Sequence, residues 1–295
     1  MKLLILTQKV ALKDPILGFF HRWIEEFAKN FEKVTVVCLE RGEYNLPGIE
    51  VLSLGKEERK SKAEYLSKFY RDIWQERSNY DAVFVHMNQE YVLLGWVLWR
   101  LMGKKIYLWR NHAEGSILTR MAVWFSNKVF YTSPQSFTAR FAKAVQMPVG
   151  VDTDFFKPNP SVDRISNSIL FLGRIAPVKK VIEFVEWFNT LDQKFIATVA
   201  GSALLQDSEY EKKVKEITSP RIKFVGSVNH EQALELYQTH EIYVNKTPVG
   251  SFDKTIVEAV ACGMKILVDN EAVKDLKPED HSLKKLIGKL TEEIK

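Results

Sequence analysis

Short apolar runs alternate with amphipathic stretches along the whole chain, and this alternation predicts the fold class. In the first half the runs KLLILT, KVTVVCL, IEVLSL, DAVFVH, KIYLWR and KVFYTS read as strands. Between them, residues 19–30, 57–77, 91–102 and 117–125 place apolar side chains at helical spacing. Strands alternating with helices predict βαβ units and a parallel sheet. The stretch QMPVGVDTDFFKPNPSVDRISNS, rich in Pro, Asp, Asn and Ser, reads as a linker. The alternation then restarts, with strands at SILFLG, FIATVAG, IKFVG, IYVN and KILVD. Helices are predicted over residues 180–189, 208–218, 230–238, 254–261 and 282–294. The expectation is an α/β protein of two Rossmann-like, doubly wound domains facing each other across a cleft, residues 1–148 and 149–295. Ligands of such sheets bind beyond the carboxyl ends of the strands.

Composition narrows the class only a little. At 295 residues, with 46% hydrophobic and 27% charged positions, the chain has the make-up of a globular protein. Cys38 and Cys262 lie far apart in apolar surroundings and read as core residues, not as a disulfide or metal pair. The longest apolar stretch, YVLLGWVLWRLMG, contains Arg100 and is too short to cross a bilayer. MKLLILTQK turns polar too early for a secretory leader, so a cytoplasmic protein is expected.

Charge changes the picture more. The net charge of +5 is split into +7 over residues 1–150 and −2 over the rest. A basic first half fits an anionic partner, such as a membrane surface or a phosphorylated substrate, or simply a solvated face. LGFFHRWIEEFAKNF and LGWVLWRLMGKK set aromatics beside basic residues. They fit an acceptor held at the inner face of a membrane, or core helices, and the second is the preferred reading. No nucleic-acid partner is expected.

Several chemistries lack their motifs. The turn after the first strand, TQKVALKDPILGFF, holds one glycine, Gly18, where a dinucleotide fingerprint needs three. There is no Walker loop, no G-x-S-x-G elbow, and no H-x-x-x-H spacing among the six histidines, so no metal site or cofactor is expected.

Two segments do point to an anion. In ILFLGRIAPVKK a strand ends at Gly173 and is followed by Arg174, with Lys179 and Lys180 opening the next helix. Cations at a helix N-terminus are unfavourable by roughly 0.3–1 kcal/mol, a conflict that a bound anion removes. In GSFDKTIVEAVACG an apolar helix opens with Gly250, Ser251, Phe252, Asp253, Lys254 and Thr255. Its amides suit a phosphate. Glu258, one turn inside, suits a pair of ribose hydroxyls; the alternatives are pairing with a basic neighbour or exposure.

At these residues the sequence resembles the family 4 glycosyltransferases, retaining enzymes of the GT-B fold that use nucleotide sugars. VGVDTDFFKP is similar to the family's hinge motif, LGRIAPVKK to its Gly-Arg-x-x-x-x-Lys motif, and GSFDKTIVEAVACG to its motif of two glutamates eight positions apart. The likeness is strong over residues 148–270 and weak before them. It implies that Arg174 and Lys179 neutralise the departing diphosphate and that Glu258 holds the ribose. His112, ending IYLWRNH, is implied near the transferred sugar, with Gly18 and His21 toward the acceptor, Arg22 beside them, and His86 structural. The implied substrates are a nucleoside-diphosphate sugar and a glycan or lipid-linked acceptor. The chain departs from the family in four places. Gly250 stands at the first glutamate, Lys180 where glycine is common, Val149 where the hinge often has asparagine, and the C-terminal extension is short. Two other readings keep the same fold: a nucleotide-sugar epimerase or hydrolase, and a non-catalytic nucleotide-sugar-binding protein.

Overall fold

The computed structural model describes residues 1–248, 253–269 and 276–295. They form two compact units: residues 1–150 together with 283–295, and residues 151–282.

The first unit is built on a seven-stranded, wholly parallel sheet: β1 (Lys2–Val10), β2 (Lys33–Arg41), β3 (Glu50–Ser53), β4 (Ala82–His86), β5 (Lys105–Trp109), β6 (Lys128–Tyr131) and β7 (Ala144–Gln146). Its order is β3-β2-β1-β4-β5-β6-β7, so the winding reverses between β1 and β4. Leu3 to Leu6 and Val83 to Val85 are inaccessible because helices cover both faces, which is why these strands read as unbroken apolar runs. One face carries α1 (Gly18–Asn30) and the other α2 (Lys62–Gln75), α3 (Gln89–Leu101) and α4 (Ile117–Phe125). Ser61 and Glu64 form a reciprocal cap that starts α2. That cap sets the start five residues later than the sequence periodicity implied. The predicted aromatics of α1 are core: Phe20, Trp23 and Phe27 are buried.

The second unit has a five-stranded parallel sheet: β8 (Ile165–Leu172), β9 (Ile196–Ala200), β10 (Ile222–Gly226), β11 (His240–Asn245) and β12 (Lys265–Val268). The order is β10-β9-β8-β11-β12, with the reversal between β8 and β11. The helices are α5 (Val181–Asn189), α6 (Ser208–Glu216), α7 (His230–Thr239) and α8 (Lys254–Ala261).

The expected domain of residues 149–295 needs correction at its end. α9 (Leu283–Ile294) belongs to the first unit. Leu283, Leu286, Ile287, Leu290 and Ile294 join the core formed with Phe20, Trp23 and Phe27 of α1. Lys128 Nζ pairs with Glu293 at 2.7 Å, and the Tyr107 hydroxyl donates to the Ile294 carbonyl at 3.0 Å. The amphipathic stripe of α9 told of burial but not of which core receives it. Gly150 closes the first unit at φ +77°, where an added Cβ would run into Leu286 and Trp23. The Trp23 indole donates to its carbonyl at 3.3 Å.

Candidate functional site

In an open parallel sheet the crevice forms where the winding reverses, beyond the strand C-termini. In the second unit that place lies between β8 and β11, and each strand delivers one of the two anion-suited segments.

β8 runs into Gly173 and then Arg174, whose side chain is exposed. The turn is held close to β9. Gly173 N–H donates to the Ala200 carbonyl at 3.0 Å and Ile175 N–H to the Ser202 carbonyl at 3.1 Å. Gly201 makes this approach possible: its φ is +146°, and any Cβ there would collide with the Gly173 carbonyl. A 3-10 turn, Pro177–Lys179, then aims Lys179, and Lys180 takes a left-handed conformation (φ 51°, ψ 48°) at the start of α5. The left-handed backbone accounts for the family's usual glycine at this position.

β11 ends in Asn245 and leads, through residues outside the described set, to Asp253 at the head of α8. Asp253 does not use its side chain to cap its own helix. Its carboxylate reaches instead to Lys179, 2.5 Å away, and accepts from Asn245 at 3.0 Å and Thr247 at 2.7 Å. Burial pushes the Asp253 carboxyl up, but the Lys179 ammonium and these hydrogen bonds together outweigh it and hold it below its ordinary value. The β8 and β11 segments are thus joined by an ion pair with little exposed surface, 19% for Lys179 and 13% for Asp253.

Glu258 follows one turn later and is buried. Its Oε2 accepts from the Tyr237 hydroxyl at 3.0 Å, and Oε1 has no hydrogen-bond partner among the described residues. Burial pushes this carboxyl up, against the pull of Lys254 and the Tyr237 hydroxyl. Burial likewise pushes the Lys254 ammonium down to about 8, against the pull of Glu258 and Asp152. The Tyr243 hydroxyl lies 2.7 Å from Thr255 Oγ1 and 3.3 Å from Asn245 Nδ2, tying the helix head to β11. α8 closes at Cys262 and Gly263, the latter at φ +73°.

The structure therefore joins Lys179 to Asp253 at the head of the helix that carries Lys254, Thr255 and Glu258, while Gly173 and Arg174 follow the end of β8 with no hydrogen bond or ion pair to that helix among the described residues. Gly250, Ser251 and Phe252 lie outside the described residues. Sequence reasoning missed Tyr237, Asn245 and Thr247, the partners that set the two carboxylates; nothing in their local spacing marks them. Among the described residues no three His, Cys, Asp or Glu gather as a metal site.

The candidates of the first unit fare unequally. His112 is exposed on the loop after β5, and its Nδ1 accepts the Glu114 N–H at 3.0 Å. The same Nδ1 lies 3.2 Å from the Glu114 carbonyl. Gly18 is buried at the start of α1 and donates to the Asp14 carbonyl at 3.0 Å. His21 is buried within the same helix. Its Nε2 accepts the Asn45 N–H at 3.1 Å and its Nδ1 faces Glu25 at 3.3 Å, while burial pushes its proton affinity down. His21 thus braces α1 against the following loop through Nε2, while its buried Nδ1 has no hydrogen-bond partner among the described residues. His86 is also buried, 3.2 Å from Thr7 Oγ1 and stacked on Phe20 at 3.9 Å.

Comparison with known proteins gives family and fold matches. Residues 152–274 match the family profile described as Glycosyl transferases group 1, and residues 11–116 the one described as Glycosyl transferase 4-like. Similar solved structures include Anabaena HepE in complex with UDP and glucose, at 17% identity and TM-score 0.72, covering 99% of this chain and 90% of that one. Sucrose-phosphate synthase from Thermosynechococcus elongatus gives 15% identity and TM-score 0.69, with 99% and 89% coverage. The lipopolysaccharide outer core galactosyltransferase WaaB gives 14% and 0.63, with 100% and 92%. No curated protein sequence matches.

Proposed function

We propose that the chain, whose two halves match the group 1 and 4-like glycosyl transferase profiles, is a GT-B-fold glycosyltransferase that moves a sugar from a nucleoside-diphosphate sugar to a glycan or lipid-linked acceptor, with retention of configuration and without a metal. The observation that carries this reading is the meeting of Lys179 with the head of α8 at the reversal point of the second sheet.

Breaking the bond from sugar to phosphate builds negative charge on the departing diphosphate. Arg174 on the exposed end of β8, the Lys179 ammonium and the first turn of α8 supply positive potential there. Asp253 holds Lys179 in position and yields it when a diphosphate enters. Glu258, one oxygen held by Tyr237, offers the other to the ribose hydroxyls. Lys254 and Thr255 complete the donor side beside Gly173. His112 serves the transferred sugar from the first unit. The acceptor hydroxyl attacks from the face that the diphosphate leaves, and a leaving phosphate oxygen takes its proton, so no protein base is required. UDP is the nucleotide to test first, since HepE is described with UDP and glucose.

The test is transfer from a panel of nucleotide sugars. Arg174→Ala and Lys179→Ala abolish transfer, and Arg174→Ala does so with an unchanged melting curve because its side chain is exposed. Normal turnover in both variants would sink the assignment.

A further inference from the structure

An amphipathic helix buries its apolar stripe and shows water a polar one. α4 does not. Thr119, Ala122, Val123 and Phe125 face the core, yet the opposite side, Ile117, Leu118, Met121 and Trp124, is apolar as well and exposed. Ile117 keeps 75% and Trp124 71% of its surface in solvent. The neighbouring α3 repeats the pattern with Val97 and with Leu101, which is 80% exposed. Trp96 of α3 stacks on Phe125 of α4, ring centres 3.9 Å apart and planes within 4°, so the two exposed faces are held side by side. Apolar side chains this large, contiguous and solvent-facing mark a docking surface.

Charge identifies the occupant. Residues 87–150, which contain both helices, hold eight Lys and Arg against two Asp and Glu. Arg100 lies in the last turn of α3, Lys105 just beyond it, and Arg120 within α4. Lys143 donates to the Trp124 carbonyl at 3.1 Å and the Ser126 carbonyl at 2.7 Å, which puts an ammonium at the C-terminal end of α4. Partial burial, and after it the nearby Arg100, disfavours the Lys143 charge. Among the described residues none of these four cations is in an ion pair. A face for a second copy of the chain would set like charge against like, whereas an apolar face edged with unpaired cations complements an anionic lipid surface.

We propose that the exposed faces of α3 and α4 dock on an anionic bilayer, with Leu101, Ile117 and Trp124 entering the boundary between headgroups and acyl chains and Arg100, Lys105, Arg120 and Lys143 meeting lipid phosphates. This deepens the reading of a lipid-linked acceptor and rests on it for its purpose, but the docking is measured without any sugar.

The test is flotation of the full chain with vesicles of phosphatidylcholine containing about 30% phosphatidylglycerol, and with pure phosphatidylcholine. The chain binds the anionic vesicles, and added salt weakens the binding. The double variant Leu101→Ser/Trp124→Ser loses at least about tenfold in affinity, and Arg100→Glu/Lys105→Glu a similar amount. All four positions are exposed, so melting curves and the thermal shift with UDP stay as in the parent chain, which separates failure of docking from failure of the donor site. Binding that is absent, indifferent to lipid charge or unchanged in both variants overturns the proposal. So does self-association in sedimentation velocity that the Leu101→Ser/Trp124→Ser variant abolishes, which assigns the face to a second copy.

Discussion

Asp253→Asn tests the ion pair at the centre of the candidate site from two directions. The carboxylate receives Lys179 at 2.5 Å, Thr247 at 2.7 Å and Asn245 at 3.0 Å. An asparagine can accept from one or two of these donors, but its amide nitrogen then opposes the rest. Breaking a buried pair costs about 3–5 kcal/mol because it strands the remaining charge. The pair keeps 13–19% of its side-chain surface exposed, so the lower end, about 3 kcal/mol, is expected at pH 7. Denaturant dependence of hydrogen exchange, read on peptides from β11 and α8, isolates the second unit. The acid limb supplies the sign. Asp253 has a folded pKa held below its unfolded value, so its contribution is present above about pH 4 and is lost as pH falls through the folded value. The gap between parent and variant must therefore close below about pH 4. With UDP present the order inverts: a diphosphate competes with Asp253 for Lys179, so the variant binds UDP about tenfold more tightly, or 1.4 kcal/mol. A stability loss under about 0.5 kcal/mol, a gap that persists in acid, or weaker UDP binding in the variant would refute the reasoning.

Three further outcomes are expected. Lys254, with its folded pKa near 8 against 10.5 for the free side chain, binds fewer protons folded than unfolded between those values. Stability of the parent relative to Lys254→Met should thus rise by up to about 3 kcal/mol from pH 8 to 10.5 in denaturant titrations, and a flat difference excludes a desolvated ammonium. Gly201→Ala forces a Cβ against the Gly173 carbonyl at an unfavourable φ; it should cost upwards of about 2 kcal/mol and weaken UDP binding by displacing Arg174, and a neutral thermal shift would show that the turn is slack. Leu290→Ala empties a fully buried site in the first unit, so it should cost about 2–5 kcal/mol with faster exchange in α1 and β5 while α8 is unchanged; equal effects in both units would remove α9 from the first core.

The strands and most helices were legible because each obeys one period over its whole length. Parallel strands covered on both faces give unbroken apolar runs, and α8 begins at Lys254, where its apolar spacing begins. Arg174 and Lys179 were legible because a strand end, a tight turn and a helix start fix their separation locally. Tyr237, Asn245 and Thr247 were not, since their part depends on contacts between separate elements that no local pattern records. His21 stands between aromatics and beside Arg22 and looks accessible in sequence; only the fold places Asn45 at its Nε2 and Glu25 near its Nδ1. α4 misleads in the opposite sense: a helix apolar all round reads as buried, and its solvent-facing half is invisible without the tertiary layer it fails to enter. β7 is three residues long, too short for any period to show.

The return of α9 to the first unit makes residues 151–282 a continuous insert between residues 1–150 and 283–295 of a single host. The ends of the insert are stitched by a parallel bridge from Val151 to Ser282, with the Val151 N–H on the His281 carbonyl at 2.9 Å. During synthesis the host therefore emerges first but stays open along α1, its apolar groove waiting for Leu283 to Ile294 until the whole insert has left the ribosome. Premature termination between residues 150 and 282 leaves an N-terminal body with an uncovered seam rather than a finished half-protein.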